Sequence, residues 1–267
     1  MDKSRFRYLR AQLEKSGVLT VTLARPPANA VDRDMYIEIA DLFNDPDAFG
    51  GLARAIVLTA EGKHFCAGND LDEFATMTLD NGTERMWRVR EAFYSISRCK
   101  VPVIGAVYGA ALGTGLAIAG SCDFVVADPE ARFGLPELTV GVMGGARHLA
   151  RIAPGPLVRR MYFTGEPLSA RELRDAGGCI VIGAPGRHVE EAQRLAARIA
   201  SFSPTAVRAS KRVLDRIEWM TLEEGYAFEQ GATVRMSGHP DSKEALAAFR
   251  EKRLPVYEGG IDRTKFD

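Results

Sequence analysis

The sequence predicts an α/β fold in which short strands alternate with crossover helices. Short apolar runs rich in β-branched residues, such as Val103–Val107, are typical of buried strands. These runs are followed by a turn and then by a segment with helical spacing, the alternation expected for parallel strands. The segment that follows Pro204 carries only helical signals. We therefore expect a sheet-containing core followed by a helical segment.

The N-terminal part of the chain predicts a hairpin and then a capped helix. Residues Tyr8–Leu13 and Val18–Leu23 alternate apolar and polar side chains around the turn Glu14–Gly17. After a proline-containing break, Asp32 is suited to cap a helix. One face of that helix carries Met35, Ile39, Leu42 and Phe43.

The next part of the chain predicts strands that lead into glycine-containing turns. Ala55–Thr59 has the composition of a short buried strand, and Glu61–Leu71 is interpreted as a second strand followed by a turn. Thr83–Cys99 has the spacing of a solvated helix that covers the sheet. Val103–Val107 leads into the turn Gly109–Gly115, after which an apolar helix begins.

The signals become mainly helical after the middle of the chain. Leu149–Leu173 has helical spacing with a break at Pro154–Pro156. Gly177–Gly183 predicts a last strand, and Val189–Phe202 predicts an amphipathic helix.

Ser203–Pro204 is the predicted domain boundary, because proline suits the first turn of a helix. Residues 1–203 would form the core, and residues 204–267 a helical C-terminal oligomerisation segment. Such a segment has to bury its apolar faces on the core, on a neighbouring subunit, or on both.

The composition excludes several classes of protein. The 35 basic and 35 acidic residues cancel, so the overall charge indicates neither a nucleic-acid nor a membrane-surface partner. The four cysteines lack C-x-x-C spacing, so we interpret them as reduced, small core residues of a cytoplasmic protein. The four histidines lie far apart in the sequence, and no metal site is expected.

The glycine turn and one carboxylate suggest the chemistry. A strand that leads through Gly109–Gly115 to a helix delivers unpaired backbone N–H groups, which can hold a negative charge. The glycine spacing fits neither the dinucleotide fingerprint nor a P-loop. Glu137 follows closely in the phrase Phe133–Glu137, where a turn would hold its carboxylate in place. Backbone donors beside a positioned carboxylate predict proton transfer next to a carbonyl group. The alternative interpretation of the glycine turn is an NAD-dependent dehydrogenase, which a titration with NAD can exclude.

Several motifs in order carry a resemblance to a known family. They are Arg25–Pro26, Asn29–Val31, His64–Leu71, Val101–Val107, Gly109–Gly115, Cys122–Asp123, Phe133–Glu137, Ser242–Ala245, Ala248–Phe249 and Glu251–Arg253. Over nearly its whole length the chain resembles the enoyl-CoA hydratase/isomerase, or crotonase, superfamily. The resemblance implies a crotonase-like spiral of strand-strand-helix turns, a C-terminal trimerisation segment, and a homotrimer or dimer of trimers. It also implies acyl-CoA thioester substrates and no separate cofactor, because coenzyme A is part of the substrate.

The resemblance also assigns roles to individual residues. The backbone N–H groups of Asn69 and Thr114 would form the oxyanion hole, and Glu137 would be the acid/base. The family usually has glycine where Thr114 stands. Substrate contacts are implied for Arg25, Lys63, Ala67, Gly68, Asp70, Leu71, Gly113, Phe249 and Lys252.

One departure from the family pattern bears on the reaction. Hydratases of the family use two glutamates, and the first would fall at Ala117, which cannot transfer a proton. One remaining glutamate favours double-bond isomerisation of an enoyl-CoA. The alternatives are hydration with a substitute group, for which His148 is the candidate second acid, and hydrolysis or C–C bond chemistry on a cyclic or aromatic acyl-CoA. A CoA-binding protein without catalysis is a further alternative.

Overall fold

The computed structural model describes residues 6–257, which form two β-sheets with helices packed around them. The nine strands in this described part of the chain are β1 (Leu9–Leu13), β2 (Val18–Leu23), β3 (Ala55–Ala60), β4 (Val103–Val107), β5 (Ala110–Leu112), β6 (Phe124–Ala127), β7 (Arg132–Gly134), β8 (Leu168–Ser169) and β9 (Val181–Ile182). The larger sheet has the order β1-β2-β3-β4-β6-β9, and the smaller has the order β5-β7-β8. The predicted α/β class is confirmed.

Eleven α-helices surround the sheets within residues 6–257, together with 3-10 turns at Pro46–Ala48 and Glu137–Val140. They are α1 (Arg33–Asn44), α2 (Leu71–Ala75), α3 (Leu79–Ser97), α4 (Thr114–Ser121), α5 (Ala146–Leu149), α6 (Gly155–Thr164), α7 (Ala170–Asp175), α8 (His188–Ala200), α9 (Pro204–Ile217), α10 (Leu222–Ser237) and α11 (Pro240–Glu251).

The predicted hairpin and the first helix are confirmed. Strands β1 and β2 pair antiparallel, with Leu9 opposite Leu23 and Leu13 opposite Leu19. The side chain of Asp32 accepts a hydrogen bond from the Met35 amide at the start of α1, which supplies the predicted cap. The predicted apolar face of α1 is buried in the core.

The central strands are parallel and buried on both faces, which explains their continuous apolar sequences. One face of the sheet packs against α8, whose small residues Ala192, Ala196 and Ala200 contact a cluster that includes Val57 and Ile104. The other face packs against α1, α3 and α4 in the main core. The chain therefore has two apolar layers, one on each side of the sheet.

The prediction of a second strand within Glu61–Leu71 is wrong. This segment makes only two isolated bridges in the described part of the chain, from Cys66 to Ala111 and from Asn69 to Val31. Gly68 lies between them with φ +125°, a conformation that interrupts any continuous strand. The segment instead runs beside β5 in the parallel sense, with the Cys66 amide donating to the Ala110 carbonyl and the Leu112 amide donating to the Cys66 carbonyl. Strand β5 itself interrupts the predicted glycine turn.

The C-terminal helices are attached to the core by buried ion pairs. Helix α9 begins at Pro204 and is capped by the Ser203 side chain. Arg208 lies 2.8 Å from Asp47, and the ammonium of Lys211 lies 2.8 Å from Asp123. Large apolar side chains remain exposed beyond α9, namely Trp219, Leu222, Tyr226, Val234, Leu246 and Phe249.

The division into residues 1–203 and 204–267 stays a prediction, and residues 1–5 and 258–267 lie outside the described residues. None of the helices formed by residues 6–257 combines the length and the apolar character that crossing a membrane requires. Three of the four cysteines are buried, as expected of core residues, but Cys179 is exposed because it lies in the loop before β9.

Candidate active site

Two backbone amides on adjoining segments have no acceptor among residues 6–257, and each has a local structural cause. The amide of Val31 donates to the Gly68 carbonyl, and that of Asp70 donates to the Val31 carbonyl. Asn69, between these two partners, makes no backbone hydrogen bond of its own within residues 6–257. Its N–H therefore points away from the bridge and is available to a ligand.

The second amide is that of Thr114, the first residue of α4. Gly113 precedes it with φ +53°, and the Gly113 N–H is used by the Gly134 carbonyl at 3.0 Å. An amide in the first turn of a helix has no acceptor within the helix, and none is supplied to Thr114 by the described residues. The turn therefore presents the Thr114 N–H at the positive end of α4.

An open cavity of about 610 Å³ contains both of these residues and Glu137. Its walls come from the segment before α2, from α2 itself, from the start of α4 and from the 3-10 turn after Pro136. The lining residues are Ala28, Ala30, Ala67, Gly68, Asn69, Asp70, Leu71, Asp72, Phe74, Gly113, Thr114, Pro136, Glu137, Thr139, Val140 and Val142. The lining is mostly apolar, with a few polar groups placed close together, as is typical of ligand sites.

Glu137 is positioned directly beside the glycine that precedes Thr114. A Cβ atom added to Gly113 would lie 2.8 Å from Glu137 Oε1. The other carboxylate oxygen, Oε2, is buried and has no hydrogen-bond partner among the described residues. Burial raises the pKa of Glu137 above its usual value of 4.5. The Glu137 carboxylate therefore lies next to the turn that presents the Thr114 amide, and it binds a proton more tightly than an exposed glutamate does.

The other two acidic residues of the cavity have different surroundings. Asp70 accepts a hydrogen bond from the Glu73 amide at the start of α2, and its Oδ2 lies 2.7 Å from Arg25 Nη2. The amide of Glu73 and then the guanidinium of Arg25 lower the pKa of Asp70. Asp72 is exposed on α2. Glu137 is thus the carboxylate of this cavity that is best suited to accept a proton from a bound molecule.

Arg25 is engaged by carboxylates of the protein. Besides Asp70 it contacts Asp32 at 3.2 Å, and its Nη1 donates to the Ala30 carbonyl at 2.6 Å. These contacts connect the loop before α1 to the loop that carries Asn69. A substrate phosphate would have to compete with both carboxylates for this guanidinium.

The structure brings eight of the predicted site residues together around the cavity, places Arg25 next to them, and separates the remaining ones from the cavity. Around the cavity lie Ala67, Gly68, Asn69, Asp70, Leu71, Gly113, Thr114 and Glu137. Arg25 joins this group through Asp70. Lys63 lies exposed in a loop outside the cavity lining, and Phe249 and Lys252 lie at the exposed end of α11.

His148 lies outside the cavity lining and against other elements. Its ring packs edge-on against Phe93 at 4.9 Å between centroids, and its backbone lies close to Gly120 of α4. Burial, with a smaller contribution from Arg151 and Arg147, lowers the pKa of His148 to about 4. The imidazole is therefore neutral near pH 7, a poor starting state for a second acid.

Tyr36 is a residue of the site that sequence reasoning missed. Its hydroxyl lies 2.7 Å from Asn69 Oδ1 and 3.0 Å from Thr114 Oγ1, so it contacts the side chains of both residues whose amides are unpaired. In the sequence it looks like an ordinary apolar position of α1. The available signal was its phenol oxygen, because a buried tyrosine hydroxyl usually has a hydrogen-bond partner.

Comparison with known proteins identifies the family. Residues 13–260 match the family model described as enoyl-CoA hydratase/isomerase. The chain belongs to the enoyl-CoA hydratase/isomerase family. It is accordingly an acyl-CoA-processing enzyme with the crotonase fold, which has two sheets and C-terminal helices.

Similar proteins of the family have different activities. A (7aS)-7a-methyl-1,5-dioxo-2,3,5,6,7,7a-hexahydro-1H-indene-carboxyl-CoA hydrolase of Mycobacterium tuberculosis is 33% identical over 240 residues, 88% of this chain and 96% of that protein. The 2,3-dehydroadipyl-CoA hydratase of Escherichia coli is 33% identical over 250 residues, 91% of this chain and 95% of that protein. An enoyl-CoA hydratase structure from Mycobacterium smegmatis has a TM-score of 0.87 at 30% identity, covering 94% of this chain and 99% of that one.

Proposed function

We propose that the enzyme forms the enolate of an acyl-CoA thioester and moves a proton with Glu137, most simply in the isomerisation of a 3-enoyl-CoA to a 2-enoyl-CoA. The observation that carries this proposal is the placement of one buried, unpartnered carboxylate oxygen of Glu137 beside the turn that presents the Thr114 amide. The unpaired amides of Asn69 and Thr114 supply the matching donors.

The steps follow from the charges involved. In the proposed reaction Glu137 removes a proton from C2 of the 3-enoyl thioester. The electron pair of the broken C–H bond forms a double bond between C1 and C2, and the π pair of the carbonyl moves to the thioester oxygen. The two amides donate to this oxygen, and one such donor typically contributes about 2.7 to 4 kcal/mol to the stability of the transition state. Protonated Glu137 then returns the proton to C4, so the double bond moves between C2 and C3. The raised pKa of Glu137 assists the first step, because it strengthens the carboxylate as a base.

Hydration is the second candidate, and the names of similar proteins favour it. The relative from Escherichia coli is a hydratase, and a protein of Clostridium acetobutylicum with 34% identity is a short-chain-enoyl-CoA hydratase. Ala117 opposes this candidate because it is a buried residue of α4 that offers no group to activate water. Hydrolysis of a cyclic acyl-CoA is the third candidate, supported by the relative from Mycobacterium tuberculosis.

Solvent exchange distinguishes isomerisation from hydration. The enzyme is incubated in deuterium oxide with 3-enoyl-CoA and 2-enoyl-CoA esters, and products are identified by mass spectrometry. We expect deuterium to enter C2 or C4 faster than 3-hydroxyacyl-CoA forms, because enolate formation needs one base whereas hydration also needs a group that orients water. Loss of a positioned acid or base typically reduces a rate by about 100- to 10,000-fold. Faster formation of the 3-hydroxyacyl product, or release of free carboxylate, would instead establish one of the other reactions.

The Glu137→Gln variant tests the proposed base. The amide retains the shape of the side chain but cannot accept the proton, so we expect turnover to fall by about 100- to 10,000-fold while calorimetric affinity for a saturated CoA ester changes little. Asp72→Asn is the matched control, because it removes the exposed carboxylate of the same cavity. If Glu137→Gln keeps activity within a few-fold of the unmodified enzyme, Glu137 is not the base.

The oligomer is also a proposal, supported by the apolar side chains that α10 and α11 leave exposed. We propose a homotrimer or a dimer of trimers in which these helices are covered by a neighbouring subunit. In such an assembly Phe249, Lys252 and Lys63 would contact coenzyme A, although they lie outside the cavity of one chain. Sedimentation at micromolar concentration tests this proposal, and a monomer would contradict it.

A further inference from the structure

A directed hydrogen-bond chain joins the side chains of the two proposed oxyanion residues. The Tyr36 hydroxyl lies 2.7 Å from Asn69 Oδ1 and 3.0 Å from Thr114 Oγ1. An amide oxygen can only accept, so the single phenol proton goes to Asn69. The Thr114 hydroxyl must then donate to the Tyr36 oxygen. The chain therefore runs from Thr114 through Tyr36 to Asn69.

The central member of this chain is held firmly and remains protonated. Tyr36 is 2% exposed in α1, which is capped by Asp32, and its ring packs edge-on against Phe93. Burial raises the pKa of Tyr36 above its usual value of 10, so the phenol keeps its proton near neutral pH. The hydroxyl is thus a permanent donor supplied by a third element of the fold.

The two residues that Tyr36 connects belong to separate parts of the chain. Asn69 follows a glycine with positive φ in the segment after β3, while Thr114 begins α4 after another glycine with positive φ. No direct hydrogen bond joins Asn69 and Thr114 in the described part of the chain. The distance between their amides therefore depends on backbone packing and on the side-chain connection through Tyr36.

We propose that Tyr36 is a positioning residue that fixes the spacing of the two oxyanion amides, and that the Thr114 hydroxyl is required for this role. This inference rests on the proposed function of the amides. It gives a physical reason for threonine at a position where glycine would also supply the backbone donor, because glycine could not bind Tyr36. Since Tyr36 acts through Asn69 and Thr114, its removal weakens the interaction with the thioester oxygen without removing a donor.

A double-mutant comparison measures the connection. Tyr36→Phe removes only the phenol oxygen, and Thr114→Val replaces the hydroxyl with a methyl group while retaining a β-branched side chain. We expect each change to reduce kcat by about 10-fold, less than the loss of a whole donor at about 100- to 1,000-fold, with a smaller change in KM. The double variant should be no slower than the slower single variant, because both changes break the same chain. Thr114→Ser retains the hydroxyl and should restore most of the activity.

The carbonyl stretching frequency of a bound saturated CoA thioester reports on the donors without requiring turnover. Infrared difference spectra with a carbonyl-labelled butyryl-CoA should show a shift to lower frequency in the unmodified enzyme, and a smaller shift in Tyr36→Phe and Thr114→Val. Tyr108→Phe is the matched control, because that hydroxyl donates to the Ala60 and Gly62 carbonyls outside the cavity lining. Its spectrum should equal that of the unmodified enzyme.

The outcomes separate this inference from the proposed function. If Tyr36→Phe lowers the melting temperature but keeps the full carbonyl shift and kcat, Tyr36 only packs in the core and the inference is wrong, while the proposed oxyanion hole stands. Additive losses in the double variant would also contradict it. If butyryl-CoA binds to the unmodified enzyme without any carbonyl shift, the proposed hole itself is wrong and the role of Tyr36 falls with it.

Discussion

Replacement of Gly113 by alanine tests whether the proposed base must lie in its observed position. The added Cβ would lie 2.8 Å from Glu137 Oε1, whereas ordinary contacts begin at 3.4 Å. The carboxylate has to retreat by about 0.6 Å, and a misplacement of about 1 Å can reduce a rate by about 100-fold. We therefore expect kcat for deuterium exchange to fall by about 10- to 100-fold.

The substitution also introduces backbone strain, which has to be separated from the collision. Gly113 has φ +53° and ψ −116°, a backbone conformation that residues with a side chain rarely adopt, so alanine there destabilises the fold by about 1 to 3 kcal/mol. Gly186→Ala is a control for a positive φ without a collision, because Gly186 has φ +70° and no atom within 4 Å of the added Cβ. Gly186 lies outside the cavity lining and outside the turn that carries Glu137. Gly144→Ala is the control in which both effects are absent. Gly144 lies at an ordinary φ, and its added Cβ would lie in open space.

Exchange rates by mass spectrometry and unfolding free energies by urea titration are measured for the three variants. The expected pattern is a loss of stability in both Gly113→Ala and Gly186→Ala, with a large loss of kcat in Gly113→Ala. If Gly113→Ala keeps kcat within about two-fold of Gly186→Ala, a range smaller than the expected positional effect, the position of Glu137 is not limiting and the argument is refuted.

Two further predictions concern pH. Because burial raises the pKa of Glu137, kcat/KM for exchange should rise with pH through a midpoint above the usual 4.5 and then level off, and the same profile measured down to acidic pH would contradict the proposal if it were flat. His148 has its pKa lowered from 6.5 to about 4, so the unfolded chain binds the proton more tightly and stability should fall as pH decreases through this interval, by at most about 3 kcal/mol. Urea titrations from neutral to acidic pH should show a shallower decrease for His148→Leu, and parallel curves for the two proteins would show that His148 does not contribute.

The regular elements could be predicted because their signals are local. The hairpin needs only alternation around a turn, the cap at Asp32 needs one side chain, and the start of α9 needs Pro204. The prediction of a strand within Glu61–Leu71 is wrong because, within residues 6–257, the segment forms only the two bridges at Cys66 and Asn69. The partners of these bridges are distant in the sequence, so the local pattern does not reveal how far the pairing extends. The second sheet was missed for the same reason, since strands of two or three residues carry no periodicity.

The candidate site was predicted in outline through the family motifs rather than through residue patterns alone. The motif around Asn69 and the phrase that ends at Glu137 place residues that do line one cavity. The connection through Tyr36 could not be predicted, because it depends on how α1 meets two loops in three dimensions. The engagement of Arg25 by Asp32 and Asp70 is likewise a tertiary effect, and it places an expected ligand contact within a network internal to the protein.

The unpaired amides of Asn69 and Thr114 have a consequence for how such an enzyme can diversify. A main-chain donor is encoded by the path of the backbone, so single substitutions at either position leave it in place, proline excepted. The side chains at the rim are therefore free to vary under selection for new acyl groups while the two proposed oxyanion donors are retained. In this chain the side chains of Asn69 and Thr114 both contact Tyr36 of α1. The three positions therefore depend on one another, which restricts the mutations that each of them can tolerate.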